Sequence, residues 1–304
     1  MKHLLSIDDL SELEIRALVD KAVHHPPQAV AQDPKLSPVA LIFMEPSTRT
    51  RVSFTRAAEI LGKQHVYLGS SDSSLTKNES LRDSLLNLKA LGYGAFVVRV
   101  PAGVSLDELR DFEGGPIINA GNGSIEHPTQ ALLDLATLLK HVAGGDWEKL
   151  RSLRIAISGD LKHSRVVGSW GRLAEKLKLN IVWCSPVEWR NSEAESRIGR
   201  WTDNKTEALK DSDVWMALRV QKERFAGSEN IEKSLSDYVS KFQMTPSEFG
   251  QKYLMHPGPV NWGVELSQEL QSHSKSLILG QVEMGLSLRA VLLEFVIRGI
   301  KSDS

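Results

Sequence analysis

Cysteine is almost absent. Cys184 stands alone, so neither an intramolecular disulfide nor a cysteine-rich zinc site can form, which fits a reducing compartment. Lying at the end of the apolar run Ile181 to Cys184, it reads as an inert strand residue. No stretch approaches the roughly 18 consecutive apolar residues of a membrane span. The segment Met1 to Leu10 meets Asp8 and Asp9 before any apolar run reaches signal-peptide length, so a cytoplasmic location and no membrane partner are expected. An excess of one charge is missing too: 37 Lys plus Arg face 38 Asp plus Glu, without the basic footprint of a nucleic-acid binder. There is no G-x-x-x-x-G-K-[ST], and Gly121-Asn122-Gly123 lacks the third glycine of a dinucleotide fingerprint, which argues against ATP and NAD. A Gly-x-Ser-x-Gly elbow, a paired-carboxylate signature and an H-E-x-x-H ligand set are also lacking, so no nucleophile and no metal are indicated.

What is present is a chain of 304 residues, 41% hydrophobic, long enough for two domains of about 150 residues each. Short apolar runs at Val39 to Met44, His65 to Leu68, Ala95 to Val100 and Pro116 to Asn119 alternate with amphipathic stretches, the pattern of a parallel sheet. Helical spacing of Ala131, Leu132, Leu135, Leu138 and Leu139 ends at the breaker Ala143-Gly144-Gly145-Asp146, where a domain junction is expected. A second series follows at Leu153 to Ile157, Asn180 to Cys184, Val214 to Leu218 and Tyr253 to Met255, with a helix at Val166 to Leu177. The expected architecture is α/β: a domain at 1–140 and a second at 141–280, both open parallel sheets joined by a helix. A final helix within 281–304 packs back on the first. Ligands of such folds favour the carboxyl ends of the strands, here in an interdomain cleft.

The sharpest local signal is Phe43 to Phe54, a turn with Pro46, Ser47, Thr48, Arg49, Thr50 and Arg51 between a strand and a helix. Free N–H groups and the positive dipole end of a helix start, joined by hydroxyls and by the donor fork of Arg49 or Arg51, suit a phosphate. An ordinary capped helix with a solvated basic face would look similar. Gly121 to Gln130 puts His127 before a helix-starting proline, with Gln130 in the first turn, although a lone histidine is more often a cap. Gly159 to Arg165 and Leu218 to Arg224 repeat the arrangement, and each alone could be a solvated charge cluster. Four such turns at strand ends are harder to dismiss, since their cations would meet one anion-rich ligand pair. Without a nucleophile, a site that positions reactants and stabilises developing charge suits transfer from an acyl-phosphate-like donor.

The motifs Phe-x-x-Pro-Ser-Thr-Arg-Thr-Arg, His-Pro-Thr-Gln, Gly-Asp-Leu-Lys-His-Ser-Arg, Arg-Val-Gln-Lys-Glu-Arg and His-Pro-Gly-Pro-Val-Asn together resemble the aspartate/ornithine carbamoyltransferase superfamily, and within it the aspartate carbamoyltransferase catalytic chains. The resemblance covers nearly the whole sequence. It implies carbamoyl transfer from carbamoyl phosphate to L-aspartate in pyrimidine synthesis, without metal or organic cofactor, by homotrimers with shared active sites. Regulatory chains or a dihydroorotase are further candidate partners. Carried onto this chain, it assigns Ser47, Thr48, Arg49 and Thr50 to the phosphate, and Thr50, Arg99 and His127 to the carbonyl oxygen. Gln130 and the Pro257-Gly258 backbone fall to the carbamoyl nitrogen. Arg165, Arg219 and Gln221 fall to the aspartate carboxylates, with Lys77 reaching in from a neighbouring subunit. Three positions depart from the pattern: Asn78 for the usual glycine, Val100 where histidine is common, and Trp262 where arginine is usual.

Two other readings stay open. Ornithine carbamoyltransferases share the phosphate motif and the donor, but Arg165 and the Arg219-x-Gln221 pair suit a dicarboxylate and repel a second ammonium. A non-catalytic homologue acting as an assembly subunit would have lost site residues, whereas here the set is complete.

Overall fold

A computed structural model describes residues 2–24, 37–69, 79–210, 212–221 and 231–298, with backbone alone at 231–234. Two compact units divide the chain: Met1–Ala136 with Val282–Ser304, and Thr137–Gln281.

In the first unit, α1 (Glu12–His24), β1 (Val39–Phe43), α2 (Thr48–Ile60), β2 (His65–Gly69), α3 (Leu81–Ala90), β3 (Ala95–Val100), β4 (Ile117–Asn122) and α4 (Pro128–His141) follow in order. The strands form a parallel sheet in the order β2-β1-β3-β4. Every residue of β1 is buried, as expected of a central parallel strand covered on both faces. Ala40, Ile42, Phe96 and Val98 project into a cluster closed by Leu85, Leu88 and Phe112, where Phe96 and Phe112 meet edge to face at 5.8 Å. Strand order reverses at β1/β3, and such a reversal opens a crevice at the strands' carboxyl ends.

The second unit contains α5 (Trp147–Ser152), β5 (Arg154–Ser158), α6 (Arg165–Leu177), β6 (Asn180–Cys184), α7 (Ser192–Arg197), β7 (Arg200–Thr202), α8 (Lys205–Lys210), β8 (Val214–Ala217), α9 (Ile231–Phe242), α10 (Pro246–Phe249) and β9 (Tyr253–Met255). Its sheet is also parallel, ordered β7-β6-β5-β8-β9, with the reversal at β5/β8. Helix α6 buries Val166, Val167, Trp170, Leu173, Ala174 and Leu177, a helical stripe that faces inward. Gly159 ends β5 at φ +128°, and a Cβ there would lie 2.5 Å from the Leu218 carbonyl, so only glycine lets the β5 and β8 ends approach this closely.

Helix α4 and the last helix, α11 (Ile278–Arg298), contain residues of both units. The strand reading omitted β7, and α11 starts three residues before the expected Gln281. Among the described residues, no helix is long and apolar enough to cross a membrane, and no group of three or more His, Cys, Asp or Glu could hold a metal ion.

Candidate active site

At the reversal in the first unit, β1 ends at Phe43 and α2 begins at Thr48. Ser47, the N-cap, is extended, and its side chain does not cap the helix. Its hydroxyl instead accepts from Arg99 Nη1 of β3 at 3.2 Å. The same Nη1 lies 3.5 Å from the Ala120 carbonyl on β4, and Arg99 Nε is 3.6 Å from Glu45 Oε2. One guanidinium on β3 thus reaches both the turn after β1 and strand β4. Thr48 and Arg49 are exposed while Thr50 is buried. Although the surface of Arg49 is open to water, protein atoms packed around its guanidinium displace part of its hydration and lower its pKa; a guanidinium nevertheless stays charged in proteins. A 13-residue helix whose first turn offers N–H groups and a positive dipole end, flanked by Arg49 and Arg99, is equipped to hold an anion.

His127 follows the end of β4 in a turn closed by Asn122 N–H to the Glu126 carbonyl at 2.9 Å and Ile125 N–H to the Asn122 carbonyl at 2.8 Å. It is 5% exposed. Its carbonyl accepts from the Gln130 and Ala131 amides at the start of α4, and its Nδ1 lies 3.4 Å from Thr129 Oγ1. Gln130 donates Nε2 to the buried Asp134 at 2.9 Å. Because a carboxylate only accepts, the amide orientation is fixed, with Nε2 toward Asp134 and the Gln130 carbonyl oxygen left as an acceptor.

Sequence reasoning missed the support behind this unit's site. Ser53 Oγ donates to the carbonyls of Arg49 and Thr50 at 2.7 and 3.1 Å, and accepts from Arg289 Nη1 of α11 at 2.6 Å. Arg289 is 3% exposed and lies over the Phe54 ring at 5.4 Å. Burial pushes its pKa down to about 9, opposed by Asp134 and reinforced by Arg49 and Arg99. Nothing in the local pattern around Arg289 marks it, because its partner lies 236 residues away.

At the reversal in the second unit, Asp160 is fully buried and holds the His163 Nδ1 at 2.8 Å. Burial raises the Asp160 pKa, opposed by His163. Arg165, half-buried, opens α6. Gln221 Nε2 donates to the His163 carbonyl at 2.8 Å, joining the turn after β5 to the segment after β8. Between Arg219 and Gln221, the Val220 N–H donates to Glu265 Oε1 at 2.6 Å and its carbonyl accepts from Asn261 Nδ2 at 3.0 Å. Glu265 also accepts from the Asn261 backbone N–H at 2.9 Å and from Asn261 Nδ2 at 2.7 Å; burial raises its pKa. Gly258, at φ +71°, donates its N–H to His256 Nδ1 at 2.8 Å. Half-buried Pro257 and Gly258 therefore share a loop with the clamp on Val220. Sequence reasoning missed Glu265, whose contacts span 45 residues.

Trp262 packs its partly buried ring on the second unit's core, which anchors the loop at the first of the departures the structure accounts for. Val100 is fully buried at the end of β3, where a histidine would need a polar partner. Lys77 and Asn78 lie outside the described residues.

Fold and polar clusters define a class: a two-unit parallel α/β protein with a helix start equipped for an anion at the sheet reversal of one unit, and with Arg165, Arg219 and Gln221 on the two segments at the sheet reversal of the other. The carbamoyl-P binding domain model of aspartate/ornithine carbamoyltransferase matches residues 2–140, and the Asp/Orn binding domain model matches residues 151–296. The chain belongs to the aspartate/ornithine carbamoyltransferase family. Within it, the chain is 38% identical over 299 residues to the aspartate carbamoyltransferase catalytic subunit of Koribacter versatilis, covering 96% of each. The solved catalytic subunit of M. jannaschii aspartate transcarbamoylase is similar over 100% of both chains, with 28% identity and a TM-score of 0.80. Trypanosoma cruzi aspartate transcarbamoylase, solved with carbamoyl aspartate and phosphate, is 26% identical over 96% of this chain and 94% of its own, with a TM-score of 0.78.

Proposed function

We propose that this protein transfers the carbamoyl group of carbamoyl phosphate to the amine of L-aspartate, giving N-carbamoyl-L-aspartate and phosphate for pyrimidine synthesis. The observation that carries the reading is the Arg99 junction, which brings a guanidinium to the N-cap Ser47 at the mouth of α2. In this reading, Ser47, Thr48, Arg49 and Thr50 hold the phosphate. Thr50, Arg99 and His127 stabilise negative charge on the carbonyl oxygen as the tetrahedral intermediate forms. Gln130, with its carbonyl oxygen turned from Asp134, and the Pro257-Gly258 backbone hold the carbamoyl nitrogen. Arg165, Arg219 and Gln221 bind the two carboxylates of aspartate, and the clamp of Glu265 and Asn261 on Val220 sets the register of the last two.

The amine nitrogen attacks the carbonyl carbon, the bond from that carbon to the phosphate oxygen breaks, and the departing phosphate takes the amine proton. No side chain has to act as a base, so catalysis rests on positioning and on fixed positive charge. Paired arginines on the acceptor side disfavour ornithine, whose second ammonium they would repel. We further infer a cytoplasmic homotrimer in which Lys77 enters the neighbouring subunit's site. Calorimetry tests the two-site reading: a ligand joining a phosphonate to an aspartyl group should bind orders of magnitude tighter than phosphate or aspartate, because it engages both sites at once. Affinity no better than that of either fragment would contradict it.

A further inference from the structure

The N-terminal segment is built as a brace against the turn that carries His127. Leu4 pairs with β4, donating its N–H to the Ile117 carbonyl and accepting from the Asn119 N–H, both at 2.8 Å. Asn119 Nδ2 donates to the Leu5 carbonyl at 2.7 Å, and Leu4, Leu5 and Ile7 are buried. Asp9 Oδ2 accepts the Leu5 and Ser6 N–H groups at 2.7 and 2.8 Å, while Ser6 Oγ accepts from the Asp8 N–H at 3.0 Å. Ser6 and Asp9 close a reciprocal capping box, which fixes the backbone of this short turn.

From that fixed turn, Ser6 donates its hydroxyl to Glu126 Oε1 at 2.5 Å and Ile7 donates its N–H to Glu126 Oε2 at 3.2 Å. Glu126 is 4% exposed. A carboxylate so desolvated must have donors, and hydrogen bonds to a charged acceptor are the stronger kind. Its carbonyl closes the turn through the Asn122 N–H, and the next residue is His127. Both the side chain and the backbone of Glu126 are thus fixed immediately before His127.

We propose that Glu126, gripped by Ser6 and Ile7, is a positioning residue that aims His127 at the carbonyl oxygen of carbamoyl phosphate. The inference rests on the reading that His127 contacts that oxygen. Displacements of about 1 Å by groups remote from the chemistry can lower rates by about a hundredfold. Glu126→Leu should therefore reduce kcat by about tenfold to a hundredfold, with KM for aspartate within about twofold of the parent. Glu126→Gln should restore most of kcat, since an amide can accept the Ile7 N–H and donate to Ser6 Oγ. Ser6→Ala, a milder change that keeps the turn foldable should Glu126→Leu fail to fold, should lower kcat several-fold.

The deciding experiment is a double-mutant cycle with His127→Ala, read as kcat with inorganic phosphate binding followed in parallel. If Glu126 acts through His127, adding Glu126→Leu or Ser6→Ala to His127→Ala lowers kcat no further. A full additional loss on that background, or an unchanged kcat in the Glu126→Leu and Ser6→Ala single mutants, would overturn the proposal while leaving His127 in its role. An unchanged kcat in His127→Ala would remove the reading of His127 and the proposal with it.

Discussion

Replacing Arg99 by methionine tests catalysis and folding separately in the first unit. Methionine keeps much of the side-chain volume and removes the guanidinium. Three of its contacts are known in detail: a 3.2 Å bond to Ser47 Oγ, a marginal 3.5 Å approach to the Ala120 carbonyl, and a 3.6 Å ion pair with Glu45. Glu45 is 27% exposed in that pair, so it can rehydrate when its partner goes. An ion pair with one partner in water contributes between about 0 and 1 kcal/mol, and one hydrogen bond adds about 0.5 to 1.5 kcal/mol. The expected destabilisation is therefore about 0.5 to 2.5 kcal/mol, a fall in melting temperature of roughly 1 to 10 °C for a unit of this size. Activity should suffer more. Losing one preorganised donor to a developing oxyanion lowers kcat by about a hundredfold to a thousandfold. Initial rates of carbamoylaspartate formation, measured beside thermal melts, test both numbers on one preparation. A kcat within a few-fold of the parent, with the melting temperature in the stated range, would refute the assignment of Arg99 to the carbonyl oxygen.

Burial pushes the Cys184 thiol up to about 12, so a disulfide exchange reagent at pH 8 should label none of the native protein and one thiol per chain in urea; rapid native labelling would place the thiol at the surface. Lys77→Ala and Arg49→Ala should each be nearly inactive. If, as proposed, the protein is a closed trimer in which Lys77 acts in the neighbouring site, the two variants dissociated and reassembled in equal amounts should regain about a quarter of normal activity, because a site with an intact main chain and an intact donor neighbour forms in about one arrangement in four. No recovery in hybrids verified by mass spectrometry would mean that Lys77 does not act in the neighbouring site.

Most of the strand framework is legible in the sequence because parallel strands buried on both faces read as unbroken apolar runs. Val39 to Phe43 and Val214 to Ala217 are of that kind. Arg200–Thr202 is not: it has three residues, with Arg200 exposed and Trp201 half-exposed, and forms only by pairing with β6. The turn from Phe43 to Thr48 could be read locally, since proline, hydroxyls and arginine after an apolar run mark a helix start. Arg289, Glu126 and Glu265 could not. Each looks like an ordinary charged residue in its own segment, and each is buried by a segment distant in sequence. Burial of a charge is a property of the assembled topology, and a single sequence carries no local sign of it.

Carbamoyl phosphate incubated with the purified protein and either L-aspartate or L-ornithine, with products separated and quantified, tests the central claim most directly. Carbamoylaspartate should form at a rate that Arg219→Ala lowers by about 2 to 5 kcal/mol in kcat/KM, the usual result of breaking a hydrogen-bonded charge pair, while citrulline stays at background. Citrulline formed with no carbamoylaspartate would overturn the acceptor assignment, and the absence of both products would contradict the proposed activity.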